Sequence, residues 1–275
     1  MKILITGVTG FLGRSLQEFY DHKKHDICLV YRGFNLTNTL NSYKPDLILH
    51  CAGEIYKPDL MYRTNIGMVE EILEWVRRNP AARMVQIGSS SEYGTVKRAT
   101  RETDAIAPVD VYSATKGAAT LLCQGYSRQF DLQVAVARIY SGYGAHERPH
   151  RLFPRLYRAF FQDEPMTLFD GVHDFIYIDD FLRGIDLLVN AERWPSGEIV
   201  NFGSGTQYRN ITVLKLWENI TGRTAPVEYI NRFSKPFETD FWQCDTTYAK
   251  QQYGFVTEYS LEQGIEDFIK KMEVK

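Results

Sequence analysis

Short apolar runs recur along the first two thirds of the chain, at Ile3–Ile5, Ile27–Tyr31, Leu47–Cys51, Met84–Ile87 and Val134–Ile139. Their near-continuous hydrophobicity predicts strands buried on both faces. Between them, Leu12–Tyr20, Met68–Arg78 and Tyr112–Phe130 place apolar residues at mixed three- and four-residue spacing, which predicts helices with one buried face. Strands alternating with helices form βαβ units, and these assemble into a parallel sheet covered on both sides. Ligands of such sheets bind beyond the carboxyl ends of the strands, so the residues that follow each strand are the candidates for chemistry.

The rhythm breaks after about residue 145. His146–Pro154 is polar, basic and bounded by proline, and it leads into a helix-like stretch at Leu152–Phe161. A strand at Phe175–Ile178 and a helix at Asp180–Asn190 follow, then short elements between loops rich in Gly, Ser and Thr. The pattern predicts a main α/β domain from 1–145 and 173–203, with a smaller lobe from 146–172 and 204–275. A length of 275 residues suits that division, and 44% apolar with 24% charged residues excludes wholesale disorder. Lys plus Arg total 32 against 34 for Asp plus Glu, so no basic surplus points to nucleic acid. The four cysteines form no C-x-x-C pair, which argues against zinc ligation and a disulfide framework. No apolar run is long enough for a membrane span, and the chain enters a strand at once. A soluble, cytoplasmic protein with no membrane partner is expected.

The first strand runs into Thr6-Gly7-Val8-Thr9-Gly10-Phe11-Leu12-Gly13 and then a helix. There, one glycine permits a tight turn, a second lets the backbone approach a pyrophosphate, and a third lets helix pack closely on strand. The helix start, through Gly10, Phe11, Leu12 and Gly13, supplies oriented N–H donors. The third strand leads into Cys51, Ala52 and Gly53, small enough for a cofactor to lie against the backbone, or simply for packing. The second ends at Tyr31-Arg32, where an acidic residue would hold a ribose diol and an arginine suits a 2′-phosphate. Arg32 therefore predicts NADP(H) over NAD(H); a solvated strand-end arginine is the alternative.

Tyr112 and Lys116 stand at i and i+4 on one helix face, where the ammonium would pull the phenol pKa down. Lys116 could also hold a cofactor ribose. Upstream, Gly88-Ser89-Ser90-Ser91-Glu92-Tyr93-Gly94 places hydroxyls at the end of a strand.

Taken in order with Pro108-x-x-x-Tyr112-x-x-x-Lys116, Arg138–Gly144, Asp174–Asp180, Asn201–Gly205 and Ser260–Ile265, these segments resemble the extended short-chain dehydrogenase/reductases of the nucleotide-sugar epimerase, dehydratase and reductase branch. The resemblance implies an α/β, Rossmann-type, doubly wound parallel sheet with a smaller α/β C-terminal substrate lobe. It implies hydride exchange at C4 of a nucleoside-diphosphate sugar by a 4-keto reductase or epimerase, with Tyr112 as acid/base and Lys116 assisting it. The serine that orients the hydroxyl is Ser90 if counted from the strand, or Ser89 if counted back from Tyr93-Gly94. The strand count favours Ser90. Ser90-Ser91-Glu92 also resembles the T-S-E of some 4,6-dehydratases, which would make Glu92 a base; an ordinary turn carboxylate is the competing reading.

In the substrate lobe the family pattern is altered. His173 and Lys235 stand where relatives carry arginines for the substrate diphosphate, and Ser141 replaces a substrate-facing asparagine. His146, Arg148, His150 and Arg151 form a basic cluster in which Arg151 is a candidate phosphate ligand. A homodimer is possible. A reading from another class, a non-catalytic dinucleotide-binding regulator, is opposed by the retained Tyr112, Lys116 and neighbouring serine.

Overall fold

The computed structural model describes residues 1–194, 196–234 and 239–273. The first half contains β1 (Lys2–Thr6), α1 (Phe11–His22), β2 (Asp26–Val30), α2 (Leu36–Tyr43), β3 (Leu47–His50), α3 (Pro58–Met61), α4 (Met68–Arg78), β4 (Arg83–Ser89), α5 (Val111–Phe130) and β5 (Val134–Ile139). After it come β6 (Ser141–Tyr143), α6 (Leu152–Phe161), β7 (Met166–Asp170), β8 (Val172–Tyr177), α7 (Ile178–Val189) and β9 (Glu198–Phe202). The chain ends with β10 (Gln207–Arg209), α8 (Asn210–Thr221), β11 (Val227–Phe233), α9 (Thr247–Tyr253) and α10 (Leu261–Glu273).

Six strands form one parallel sheet in the order β2-β1-β3-β4-β5-β9. The period of two along each strand sends alternate side chains to opposite faces. Leu4, Ile48, Met84, Val134 and Val136 pack with residues of α2, α4 and α5 on one face. Ile3, Ile5, Leu47, Leu49, Val85, Ala135 and Ala137 join a second core that runs through α7 into α6, α8 and α10. The smaller lobe is thus held to the sheet by a shared apolar core. The order reverses between β1 and β3, which opens a crevice at their carboxyl ends.

Two small sheets complete the lobe: β10-β8-β6, with β8 antiparallel to β10 and parallel to β6, and the parallel pair β11-β7. The strand expected near 175, placed by the sequence with the main domain, is β8 and pairs in the first of these. β9 does return to the main sheet, beside β5. Among the described residues no helix is long and apolar enough to cross a membrane.

Candidate active site

The crevice between β1 and β3 is shaped by glycines. Gly7 has φ +70, and a Cβ there would stand 2.6 Å from the Ala52 amide nitrogen and the Cys51 carbonyl carbon. A Cβ on Gly13 would collide with the Gly7 carbonyl. The Gly10 amide donates to the Gly7 carbonyl at 2.9 Å and closes the turn. Gly10 caps α1 without a side chain, so the first-turn N–H groups at Phe11, Leu12 and Gly13 have no cap bond and are donors for an anion. Thr6 Oγ1 accepts from the Ala52 amide at 3.1 Å and meets His50 Nδ1 at 2.8 Å, which locks the ends of β1 and β3 together. Burial holds His50 down to about 3, with the Lys116 charge acting the same way, so the imidazole is neutral at physiological pH. This tight cradle fits a dinucleotide pyrophosphate.

Tyr112 and Lys116 lie in the first two turns of α5, which starts at an Asp110 capping box. Asn65, buried in the π-helical turn Tyr62–Gly67, donates to Thr115 Oγ1 at 2.9 Å and to the Glu54 carbonyl at 3.0 Å. It ties the segment after β3 to α5, one residue before Lys116. Lys116 is buried and its Nζ donates to the Ile87 carbonyl of β4. Burial lowers the Lys116 pKa, against which Glu92 is the largest opposing charge. The Tyr112 phenol is raised by burial, and a hydrogen bond with Ser89 pulls against that rise. The net direction is opposite to the lowering expected from Lys116, whose ammonium is held at Ile87.

The serines separate clearly. β4 runs through Ser89, and the chain then turns into a 3-10 helix at Ser90–Tyr93. Ser89 Oγ lies 2.8 Å from Ser91 Oγ and accepts from the Ser91 amide at 3.2 Å while bearing on the Tyr112 phenol, whereas Ser90 accepts a hydrogen bond from Trp242 Nε1 at 3.2 Å. Ser90, the serine reached by the strand count, is the first residue of that turn, and Ser89, reached by counting back from Tyr93-Gly94, is the last of β4. Glu92 is also occupied elsewhere. It is fully buried; Oε1 accepts from the Ser89 amide at 2.7 Å, and Oε2 from Thr120 Oγ1 and Arg138 Nη2, each at 2.7 Å. Both oxygens of this carboxylate are thus engaged by donors of the protein itself.

In the smaller lobe, Ser141 Oγ lies 3.2 Å from His173 Nδ1. Burial, followed by the Arg151 charge, holds His173 down at about 4, so it is neutral where an arginine would be charged. His146 meets Glu18 at 2.6 Å, and His150 meets Tyr56 at 2.5 Å. Arg151 precedes α6, and its charge bears on both Tyr112 and His173. Its side chain is 55% exposed although it contacts Glu147 Oε1 at 3.3 Å. Lys235 lies outside the described residues. His50, Asn65 and Trp242 carry no local motif; a polar residue at the end of an apolar strand was the available signal for His50.

A parallel sheet with a glycine-lined crevice and a Ser-Tyr-Lys group beyond its strands defines a dinucleotide-dependent enzyme of Rossmann type. Residues 3–203 match the model of the NAD dependent epimerase/dehydratase family, and the chain belongs to that family of extended short-chain dehydrogenase/reductases. It is 28% identical over 308 residues to a Bacillus subtilis protein described as an uncharacterized UDP-glucose epimerase, covering 96% of each. The fold matches a UDP-glucuronic acid 4-epimerase from Bacillus cereus, in complex with UDP-glucuronic acid and NAD, with a TM-score of 0.87, 24% identity and coverage of 99% and 100%. It also matches a dTDP-glucose 4,6-dehydratase from Bacillus anthracis in complex with NAD, with a TM-score of 0.87, 20% identity and coverage of 100% and 97%.

The expectation of NADP(H) is corrected by these findings: the family is NAD-dependent and both solved relatives hold NAD. The structure supplies the reason that Arg32 misled. Its side chain is 86% exposed and lies 3.7 Å from Glu54 Oε2. Glu54 is itself fixed by the amides of Ile55, Tyr56 and Lys57. A phosphate beside Arg32 would meet that carboxylate as well.

Proposed function

We propose that this protein is a nucleotide-sugar 4-epimerase that recycles its NAD. The observation that carries the reading is that Ser89 ends β4, where it bears on the Tyr112 phenol, while Lys116 of the same helix reaches Ile87 of β4 and the neighbouring Glu92 carboxylate is engaged on both oxygens. The carboxylates that bear on Tyr112 are Glu92 and Asp110. Glu92 is locked to Arg138, and Asp110 caps α5. A 4,6-dehydratase needs a base for the C5 proton, and Glu92, the candidate for that role, is engaged on both oxygens by Ser89, Thr120 and Arg138.

Bound NAD supplies reversible hydride transfer. Tyr112 takes the proton of the C4 hydroxyl and later returns it, while Ser89 holds that hydroxyl in line. Lys116, held at the Ile87 carbonyl, keeps the ribose in place. Gly7, Gly10 and Gly13 admit the pyrophosphate to the start of α1, and Cys51, Ala52 and Gly53 line the crevice beside it. Arg151, with Ser141 and His173 behind it, meets the substrate diphosphate; Lys235 is a second candidate cation. UDP sugars are the first substrates to try, because the Bacillus cereus epimerase binds one.

The test is incubation with UDP-glucose and UDP-glucuronic acid, followed by NMR of the sugar. Inversion at C4 without net NADH consumption supports the reading. Stoichiometric NADH oxidation would make the protein a reductase, and loss of one water from the sugar would make it a dehydratase.

A further inference from the structure

Glu92 joins the three elements around the proposed site, one of which lies beneath it. Its Oε1 accepts from the backbone amide of Ser89, at the end of β4, at 2.7 Å. Its Oε2 accepts from Thr120 on α5 at 2.7 Å, and from Arg138 on β5 through Nη2 at 2.7 Å and Nε at 3.2 Å. Thr120 lies one turn beyond Lys116 and two turns beyond Tyr112 on the same helix. Gly88 leaves the room: a Cβ there would stand 2.9 Å from Glu92 Oε1. The two charged side chains are 0% and 1% exposed, so water does not screen them.

We propose that Glu92, clamped by Arg138, is a positioning residue that fixes Ser89 against Tyr112 and supplies the fixed negative charge beneath Lys116 and Tyr112. The inference rests on the reading of Ser89, Tyr112 and Lys116 as the reacting group. A buried ion pair contributes little net stability compared with well-packed apolar residues, so stability alone is a weak reason for this one. Its geometry supplies another: one carboxylate sets the spacing of β4 and α5, the elements that carry the three groups.

The charge has a definite sign. Glu92 raises both Tyr112 and Lys116. The other groups facing Tyr112 are Ser89 from β4, Asp110 at the start of α5, and Arg151 from the smaller lobe. Those facing Lys116 are His50 and Cys51 from β3 and its end, and Cys123 from α5. Neutralising Glu92 removes that contribution from both groups, so the pH profile of turnover moves to lower pH.

The experiment compares kcat, KM and their pH profiles on the UDP sugar turned over by the wild type, for Glu92→Gln, for the double variant Glu92→Leu/Arg138→Met, and for Tyr112→Phe. Glu92→Gln keeps an acceptor for the Ser89 amide but no charge, and both limbs should fall by about half a pH unit or more. The double variant keeps an apolar core but loses the spacing, and kcat should fall about tenfold or more with KM and NAD affinity within about twofold. Parental limbs and kcat in either folded variant overturn the proposal, and so does failure of both to fold, which would leave the pair a purely structural role. Activity retained by Tyr112→Phe would instead overturn the site reading; a dead Tyr112→Phe beside parental Glu92 variants overturns only the role of Glu92.

Discussion

The sheet end of the cleft and its rim are built on different terms. At the sheet end, Lys116 is tied to Ile87, Glu92 to Ser89, Thr120 and Arg138, and Asn65 to Glu54 and Thr115. These bonds are buried or part-buried and tie β4, α5, β5 and the segment after β3 to one another, so the proposed reacting groups are held before a ligand arrives. The rim from residue 146 to 151 also makes contacts, but through exposed arginines, a His146–Glu18 pair and a His150–Tyr56 contact. Such contacts are worth little against water and are exchanged readily for a ligand's phosphate. Chemistry requires fixed distances, whereas recognition of a charged substrate tolerates movement, and the two regions differ accordingly.

The comparison breaks first at Tyr112. Tyr112→Phe should reduce turnover about 10²–10⁴-fold, with NAD affinity and melting temperature nearly unchanged. A loss shared between turnover and NAD affinity would show that the sheet end is less partitioned than its bonding implies.

Glu147 tests the rim by pH. Its side chain is 5% exposed, burial raises it to about 7 with Arg151 opposing, and Oε2 has no hydrogen-bond partner. A carboxyl raised in the folded state binds protons more tightly there than in the unfolded chain, so its contribution falls as pH rises from the ordinary glutamate range to about 7. The cost at pH 8 is up to roughly 3 kcal/mol. Denaturant melts of Glu147→Gln should therefore be more stable than the wild type at pH 8 and no more stable at pH 4. Parallel stability curves for the two proteins would remove Glu147 from the account.

Arg151→Ala should raise KM or the Kd for UDP about tenfold and leave kcat within about twofold, as expected for one charge-assisted contact at an exposed position. A large drop in kcat would move Arg151 from substrate binding to the reacting group. The smallest effect is expected at Arg32. Arg32→Ala should change NAD affinity less than about threefold, because an exposed ion pair contributes about 0–1 kcal/mol. Calorimetry decides between that outcome and a direct cofactor contact.

The βαβ order, the glycine crevice after β1 and the Tyr112–Lys116 pair were legible in the sequence because each is local. Periodicity reports burial, three glycines report a close backbone approach, and i to i+4 spacing reports one helix face. The choice between Ser89 and Ser90 was not local. It depended on where β4 stops and the 3-10 turn begins, and hydrophobic runs mark strand ends only to within a few residues. Glu92 read as a possible base because no sequence pattern shows that Arg138, 46 residues on, closes over it. Arg32 read as a phosphate ligand because its Glu54 neighbour comes from the segment after β3, 22 residues on. The sequence alone thus determined the class of fold and the kinds of side chain gathered beyond its strands. Which groups face one another, and which are neutralised by burial or by an opposite charge, was decided by strand neighbours distant in the chain, because desolvation and Coulomb energy depend on separation in space.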